Sequence, residues 1–420
     1  MINFISKPMN TFNEFIDLYY TECRKKFPKI EAMAGKWSFE DLIPGMSDFD
    51  TRFVCSDEMS DEDWCKMSSA IGEVHLDLCK RFPEWARIFE HLPGINLTWR
   101  ELTSDSSYYP EYRQWSFYRC QSTEDIHSAE NYLSKRTWDS SDEYFFLKKF
   151  FTFYGPYNRS IDPAINLGDY ENKYPLHSRL MHYFIPPVQA AVSVILKSPV
   201  KGKFESLRIA RELFQEIKIF DEIFNIVDMH YEVPELYFEP EIIILENKLF
   251  YALKLILERL KQHITIVPPE LCRDANMIKK ALNNIYVPPQ LKIYDSSRFC
   301  RLFKGRMYFY INAPAHFDSA WLIQNELSRI GDMFYRTPFR IYWEVIHKEK
   351  IDNPDHIISR LAPEVITNEE AEAVLEFSRL AAGTWKEGTE LDISRGIIEI
   401  FDNFFMGLNK IKRNMEEQLF

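Results

Sequence analysis

Glycine is scarce in this chain, at 13 of 420 residues. So few leave little for flexible linkers, and little for a phosphate loop built from backbone amides. Positive charge is also in deficit: 51 Lys and Arg face 63 Asp and Glu, a formal net charge of −12. An acidic chain is drawn neither to a nucleic-acid backbone nor to an anionic membrane surface. This disfavours nucleic acid as a partner and leaves room only for a local basic pocket. No run approaches the ~20 apolar residues of a membrane span. The opening MINFISKPMNTFNEF lacks the long apolar core of a signal peptide. The seven cysteines are odd in number, scattered, and never spaced as CxxC. That pattern fits reduced thiols better than a disulfide frame or a zinc site. Together these absences predict a cytoplasmic protein with no membrane partner. GxGxxG, the P-loop, G-x-S-x-G and HExxH are missing as well. Their absence disfavours dinucleotide oxidoreductases, P-loop ATPases, serine hydrolases and zinc proteases.

Apolar and aromatic residues are plentiful: 46% of the chain is hydrophobic, with 33 Phe and 22 Tyr. A chain of this length has material for two or three domains and at least one large core. MNTFNEFIDLYYTECRKKF carries apolar residues near helical spacing. KIEAMAGKW reads as a strand running into a tight turn, and FDTRFVC as a second strand. SDEDWCKMSSAIGEVHLDLCKRF opens with a Ser cap and an acidic first turn and keeps an apolar face, the signature of a helix. GINLTWREL alternates well enough for a third strand. Tyr108 to Asp169 is irregular apart from a helical patch at DEYFFLKKFF. Beyond Pro175, helices dominate, among them a long one over KFESLRIARELFQEIKIFDEIFNIVDMHY. Lys304-Gly305, between two alternating runs, predicts a β-hairpin near 298–313. The expected architecture is α+β. A small mixed-sheet domain with an irregular extension spans 1–170, and a large, mainly helical domain spans 171–420.

Within LIPGMSDFDTRFV, Asp48 and Asp50 stand one residue apart at the mouth of the second strand. Alternation along a strand points them to one face while Phe49 turns to the other. Two close carboxylates repel unless a cation lies between them. Magnesium suits that position, since it is held by one or two carboxylates plus substrate phosphates. A metal there would position a nucleoside triphosphate and stabilise the charge that develops in phosphoryl transfer.

The order helix, strand, Ala34-Gly35, a spacer of about a dozen residues, then Ser47-Asp48-Phe49-Asp50 entering a second strand resembles the polymerase-beta-like nucleotidyltransferase superfamily. The resemblance spans roughly residues 10 to 100. It implies that Gly35 begins the phosphate-contacting turn, that Ser47 belongs to the nucleotide site, and that Asp48 and Asp50 bind magnesium. The family usually follows the turn glycine with Ser or Gly. Here Lys36 follows Gly35, either touching phosphate as a point charge or solvated. The family's third carboxylate lies on a later strand and acts as base toward the acceptor hydroxyl. GINLTWREL offers Asn96 and Thr98 there, with Glu101 and Asp105 just beyond, and Glu101 is the stronger candidate. Arg52 shares the face of Asp48 and Asp50, as a phosphate contact or as an internal salt bridge.

Other groupings carry less. Glu90 and His91 are sequence neighbours on a loop, and such neighbours seldom face each other. His177 and His182 are five apart, off the register of a zinc helix, with Arg179 between them. The reading that results is a magnesium-dependent nucleotidyltransferase moving a nucleoside monophosphate from a triphosphate to a small-molecule hydroxyl. The alternative is a catalytically inactive module on the same fold that binds or regulates. A third is an unrelated enzyme whose site is an aromatic-rich cleft between Tyr108 and Tyr183.

Overall fold

Four short strands, β1 (Ile30–Gly35), β2 (Thr51–Cys55), β3 (Leu97–Thr98) and β4 (Ser116–Cys120), form one sheet in the order β3-β2-β1-β4. The central strand β1 is antiparallel to β2 and β4, while β2 runs parallel to β3, so the sheet is mixed. This is a computed structural model, and it describes residues 9–36, 41, 50–82, 92–155, 180, 183–232, 239–314, 319–382 and 388–419. Helices make up most of the remainder, giving an α+β protein whose C-terminal region is helical. Among the described residues, no helix is long and apolar enough to cross a membrane.

The two faces of the sheet do different work. Met33, Phe53 and Cys55 point into the largest core, beneath the helices Met9–Lys26 and Asp61–Arg81. A register shift between Ile30 and Ala32 turns Ile30 to the same side. The helix Asp61–Arg81 is set by a capping box between Ser60 and Asp63 and by three acids in its first turn. On the opposite face, Ala32, Ala34 and Val54 are small enough to admit Tyr112 and Trp115, which pack over them.

The sequence reading is corrected in several places. GINLTWREL is a strand only at Leu97–Thr98. Asn96 Oδ1 accepts the Phe53 N–H at 3.0 Å and its amide donates to the Gly94 carbonyl at 2.8 Å, doing the job of further strand pairing. Thr98 then caps a short helix, Trp99–Leu102, through a box with Glu101. The irregular stretch also holds β4 and the helix Thr123–Lys135, capped by Ser122, while the patch expected at DEYFFLKKFF is the helix Ser140–Phe153, capped by Asp139. The long helix expected from Lys203 is two helices, Lys203–Leu213 and Ile219–Glu232, with the Ile217 N–H bonded back to the Phe214 carbonyl between them.

The hairpin near 298–313 is absent. That segment is the end of the helix Pro289–Cys300 and the helix Phe303–Asn312. Gly305 serves packing rather than a turn. Its N–H donates to Ser68 Oγ at 3.0 Å, and a Cβ on it would overlap the Ser68 carbonyl.

That contact also changes the domain picture. The largest core joins residues between Phe15 and Leu92 to residues between Ile293 and Met415, including the long helix Glu390–Leu419. A second core runs from Phe146 to Leu282. Apolar packing therefore does not divide the chain at residue 170: the N-terminal helices and the C-terminal ones share one interior. Gly305→Ala should lower stability by about 1–3 kcal/mol, the usual cost of overpacking. Urea unfolding is expected to show a lower midpoint at unchanged slope. An unchanged midpoint would mean that these helices do not approach so closely.

Candidate functional site

The ladder between β1 and β2 continues one step past the strands, where the Lys36 N–H donates to the Asp50 carbonyl at 3.2 Å. Lys36 and Asp50 thus stand level at the end of the β1–β2 pair where its connection leaves and returns, the mouth of the pair. Ser47 and Asp48 lie outside the described residues. Asp50 is partly exposed, and among the described residues its carboxylate accepts no hydrogen bond; the nearest cation is Arg52 Nη1 at 3.9 Å.

Arg52 is buried and turned toward Glu111. Its Nη2 lies 3.1 Å and its Nε 3.2 Å from Glu111 Oε1, while Nη1 donates to the Thr51 carbonyl at 2.8 Å. Glu111 comes from a 3-10 turn, Pro110–Gln114, and also accepts the Trp115 indole N–H at 3.2 Å. Burial raises its carboxyl, but Arg52 and then Lys36 outweigh burial and bring it to about 2. Arg52 is therefore an internal salt bridge, closest to Glu111 and also within 3.9 Å of Asp50.

Two more cations reach this end of the sheet from helices. Lys149, on Ser140–Phe153, donates to Gln189 Oε1 at 2.7 Å. Burial, reinforced by the like charges of Lys36 and Lys203, holds its amine well below the usual lysine range. Lys203 opens the helix Lys203–Leu213 behind Gly202, which has no side chain to cap it. Asp41 caps it instead, accepting the backbone N–H groups of Lys203 at 2.7 Å and Phe204 at 2.9 Å. The connection between β1 and β2 is thus pinned to the helical region. Among the described residues, the cations Lys36, Arg52, Lys149 and Lys203 share this end of the sheet with the anions Asp41, Asp50 and Glu111.

Gly35 has a structural reason to be glycine: the Tyr118 ring lies where its Cβ would be. Glu101 is committed elsewhere. Its oxygens take Arg301 at 2.5 and 2.6 Å, Tyr294 Oη at 3.0 Å and the Thr98 N–H at 3.0 Å, with Lys412 at 3.9 Å. Burial raises its carboxyl, but the charge and hydrogen bonds of Arg301 prevail and leave it at about 2. A carboxylate so acidic and so fully bonded is a poor proton acceptor, which argues against the base role expected of it. Asp105 binds Tyr132 and Arg136. Glu90, His91, His177, Arg179 and His182 lie outside the described residues. Among those described, no three His, Cys, Asp or Glu side chains converge to hold a metal.

Glu111, Lys149, Lys203 and Asp41 were not singled out by sequence. The one signal near them is YPEYRQW, where an acid sits among aromatic residues. No family model, no curated protein and no solved structure matches the chain.

Two buried acids with depressed titration make an acid-sensitive fold. Both titrate lower in the folded chain than in the unfolded one, where glutamate stands near 4.3. Their stabilisation is complete above about pH 4.5 and lost as pH falls toward 2. Glu101→Ala should cost about 3–5 kcal/mol at neutral pH, because Arg301 is left buried without a partner. Denaturant unfolding from pH 7 to pH 2.5 checks this, and Glu101→Gln should flatten the acid limb. An equally steep limb in Glu101→Gln would assign the acid sensitivity to other groups.

Proposed function

We propose that the protein binds a nucleoside triphosphate at the mouth of the β1–β2 hairpin and moves its nucleoside monophosphate to a small-molecule hydroxyl, with pyrophosphate leaving. The observation that supports this reading is the gathering of Lys36, Arg52, Lys149 and Lys203 with Asp50 at one end of the sheet. A polyphosphate is held where cations converge in this way. Asp50 suits a metal, since its carboxylate is partly exposed and held by no hydrogen bond among the described residues. With Asp48 it would hold magnesium, which when bound neutralises phosphate charge. Lys36, Lys149 and Lys203 would orient the phosphates. In phosphoryl transfer, positioning and electrostatics supply most of the acceleration, so the lack of a strong base slows but does not forbid the reaction.

A second reading, an inactive nucleotide-binding module on the same fold, is favoured by one observation. Glu101, Asp105 and Glu111, the acids that follow the missing third position in sequence, are each paired with arginine. Net acidity weighs against a long nucleic-acid acceptor in either case.

Thermal unfolding with magnesium and each of the four ribonucleoside triphosphates tests what the two readings share. Saturating ligand at ~100 times its Kd should stabilise by about 2.7 kcal/mol. Asp50→Asn should abolish the shift. Release of pyrophosphate in the presence of a hydroxyl acceptor selects the transferase, and its absence selects the module. No shift with any triphosphate removes both.

A further inference from the structure

A cleft of about 650 Å³ opens against the second core. It lies between the last turns of the helix Glu239–Leu260, the end of the helix Ser140–Phe153 and the first turn of the helix Ala275–Asn283. None of the residues lining it belongs to the hairpin mouth. Four of them are cations: Lys254, Lys261, Arg273 and Lys280. Residues 254–280 carry six Lys and Arg against three Asp and Glu, in a chain whose net charge is −12. Here an acidic chain gathers positive charge at one place.

The acids that line the cleft are already committed. Glu258 holds Lys261 at 2.6 Å, and the same lysine donates to the Arg273 carbonyl at 2.8 Å, which ties down the loop that carries Arg273. Asp274 is spent on backbone. Its Oδ1 accepts the N–H groups of Asn276 at 2.8 Å and Met277 at 3.0 Å. Lys254 lies 4.5 Å over the Phe250 ring. Among the described residues, no carboxylate pairs with Lys254, Arg273 or Lys280. Like charges sharing one cleft repel, and an anion bound between them turns that repulsion into attraction.

The cleft also narrows the kind of anion. Its three uncommitted cations come from three separate segments, two helices and the loop between them. A phosphate monoester carries a charge of about −1.5 to −2 and three strong acceptor oxygens, enough for donors on several segments. A carboxylate offers one charge and two oxygens. The volume is that of a small-molecule site and far exceeds a bare ion. Tyr154, Leu255, Ala275 and Met277 line the remainder, partly exposed and apolar. They suit the organic body on which the phosphate arrives.

We infer that this cleft binds a phosphate monoester carried on a small organic molecule. The site is separate from the one proposed at the hairpin mouth and rests on none of its residues.

The experiment uses the full chain and isothermal titration calorimetry. The probes are phenyl phosphate and glucose 6-phosphate, with phenol, glucose and inorganic phosphate as counterparts, and vesicles containing phosphatidylinositol 4-phosphate. At least one monoester should bind at least tenfold tighter than its uncharged parent and than inorganic phosphate, and more weakly as salt rises. Arg273→Glu and Lys280→Glu, both at exposed positions, should each weaken that binding more than tenfold. Lys350→Glu makes the same change of net charge at an exposed position outside the cleft and should leave the affinity within twofold. The stabilisation of Arg273→Glu by magnesium and triphosphate should match wild type. Binding of neither monoester, or wild-type affinity in Arg273→Glu and Lys280→Glu, overturns the site. An equal loss in Lys350→Glu overturns it too, by assigning the effect to net charge. Equal affinity for inorganic phosphate overturns the organic ligand, and binding to the vesicles alone overturns the small molecule in favour of a lipid headgroup. Loss of the triphosphate shift in Arg273→Glu overturns the separateness of the two sites. Monoester binding with no triphosphate shift in wild type removes the nucleotide reading and leaves this cleft standing.

Discussion

A carboxylate withdrawn from water must find a cation, and Glu101 finds Arg301 from 200 residues away in the chain. Much of the architecture gathers on that pair. Arg301 also bonds the Asn96 carbonyl at 2.6 Å and lies 4.0 Å over the Trp64 ring, so one guanidinium touches the approach to β3, the helix Asp61–Arg81 and the short helix beyond β3. Lys412 adds a cation from the last helix, 4.0 Å over the Tyr294 ring. Truncating either member of the pair would leave its partner buried and uncompensated, which is why the sheet and the C-terminal helices hold one relative position.

The pair between Arg52 and Glu111 plays a local part of the same kind. It binds β2 to the 3-10 turn and leaves Asp50 as the carboxylate at the hairpin mouth with no hydrogen bond among the described residues. The two glutamates stabilise the scaffold by being fully ionised and fully bonded. Those properties unfit them for exchanging protons with a substrate. Under the proposed function, the work at the mouth falls to Asp50 and to Lys36, Lys149 and Lys203.

The first two strands and the helix Asp61–Arg81 were legible because local signals agreed: alternation in TRFVC, a Ser cap with acids after it, an apolar stripe. Asn96 and Thr98 were read as acids gone missing. Asn96 in fact replaces strand pairing, a use that no spacing reveals, whereas Thr98 and Glu101 carry the Thr-x-x-Glu spacing of a capping box that opens a helix. Gly305 misled for a related reason, because a glycine admits both a tight turn and a close helix contact, and short alternating runs fit either. The partners of Glu111 and Lys149 could not be seen in sequence. Arg52 is 59 residues from Glu111, and in DEYFFLKKFF nothing distinguishes Lys149 from a solvated lysine.

The shared interior of the N- and C-terminal helices has a consequence for synthesis. Phe15, Met33 and Phe53 pack into a core whose other half begins at Ile293 and ends at Met415. Ribosomes add about 5–20 residues per second, so the first half of that core waits on the order of tens of seconds for the second. The segment from Phe146 to Leu282 carries its own interior and can consolidate in the meantime. Through that interval the nascent chain displays the apolar undersides of its first two helices, the surface that chaperones recognise and aggregates grow from. Truncation near the C-terminus would make that exposure permanent, and its damage would appear at the opposite end of the polypeptide.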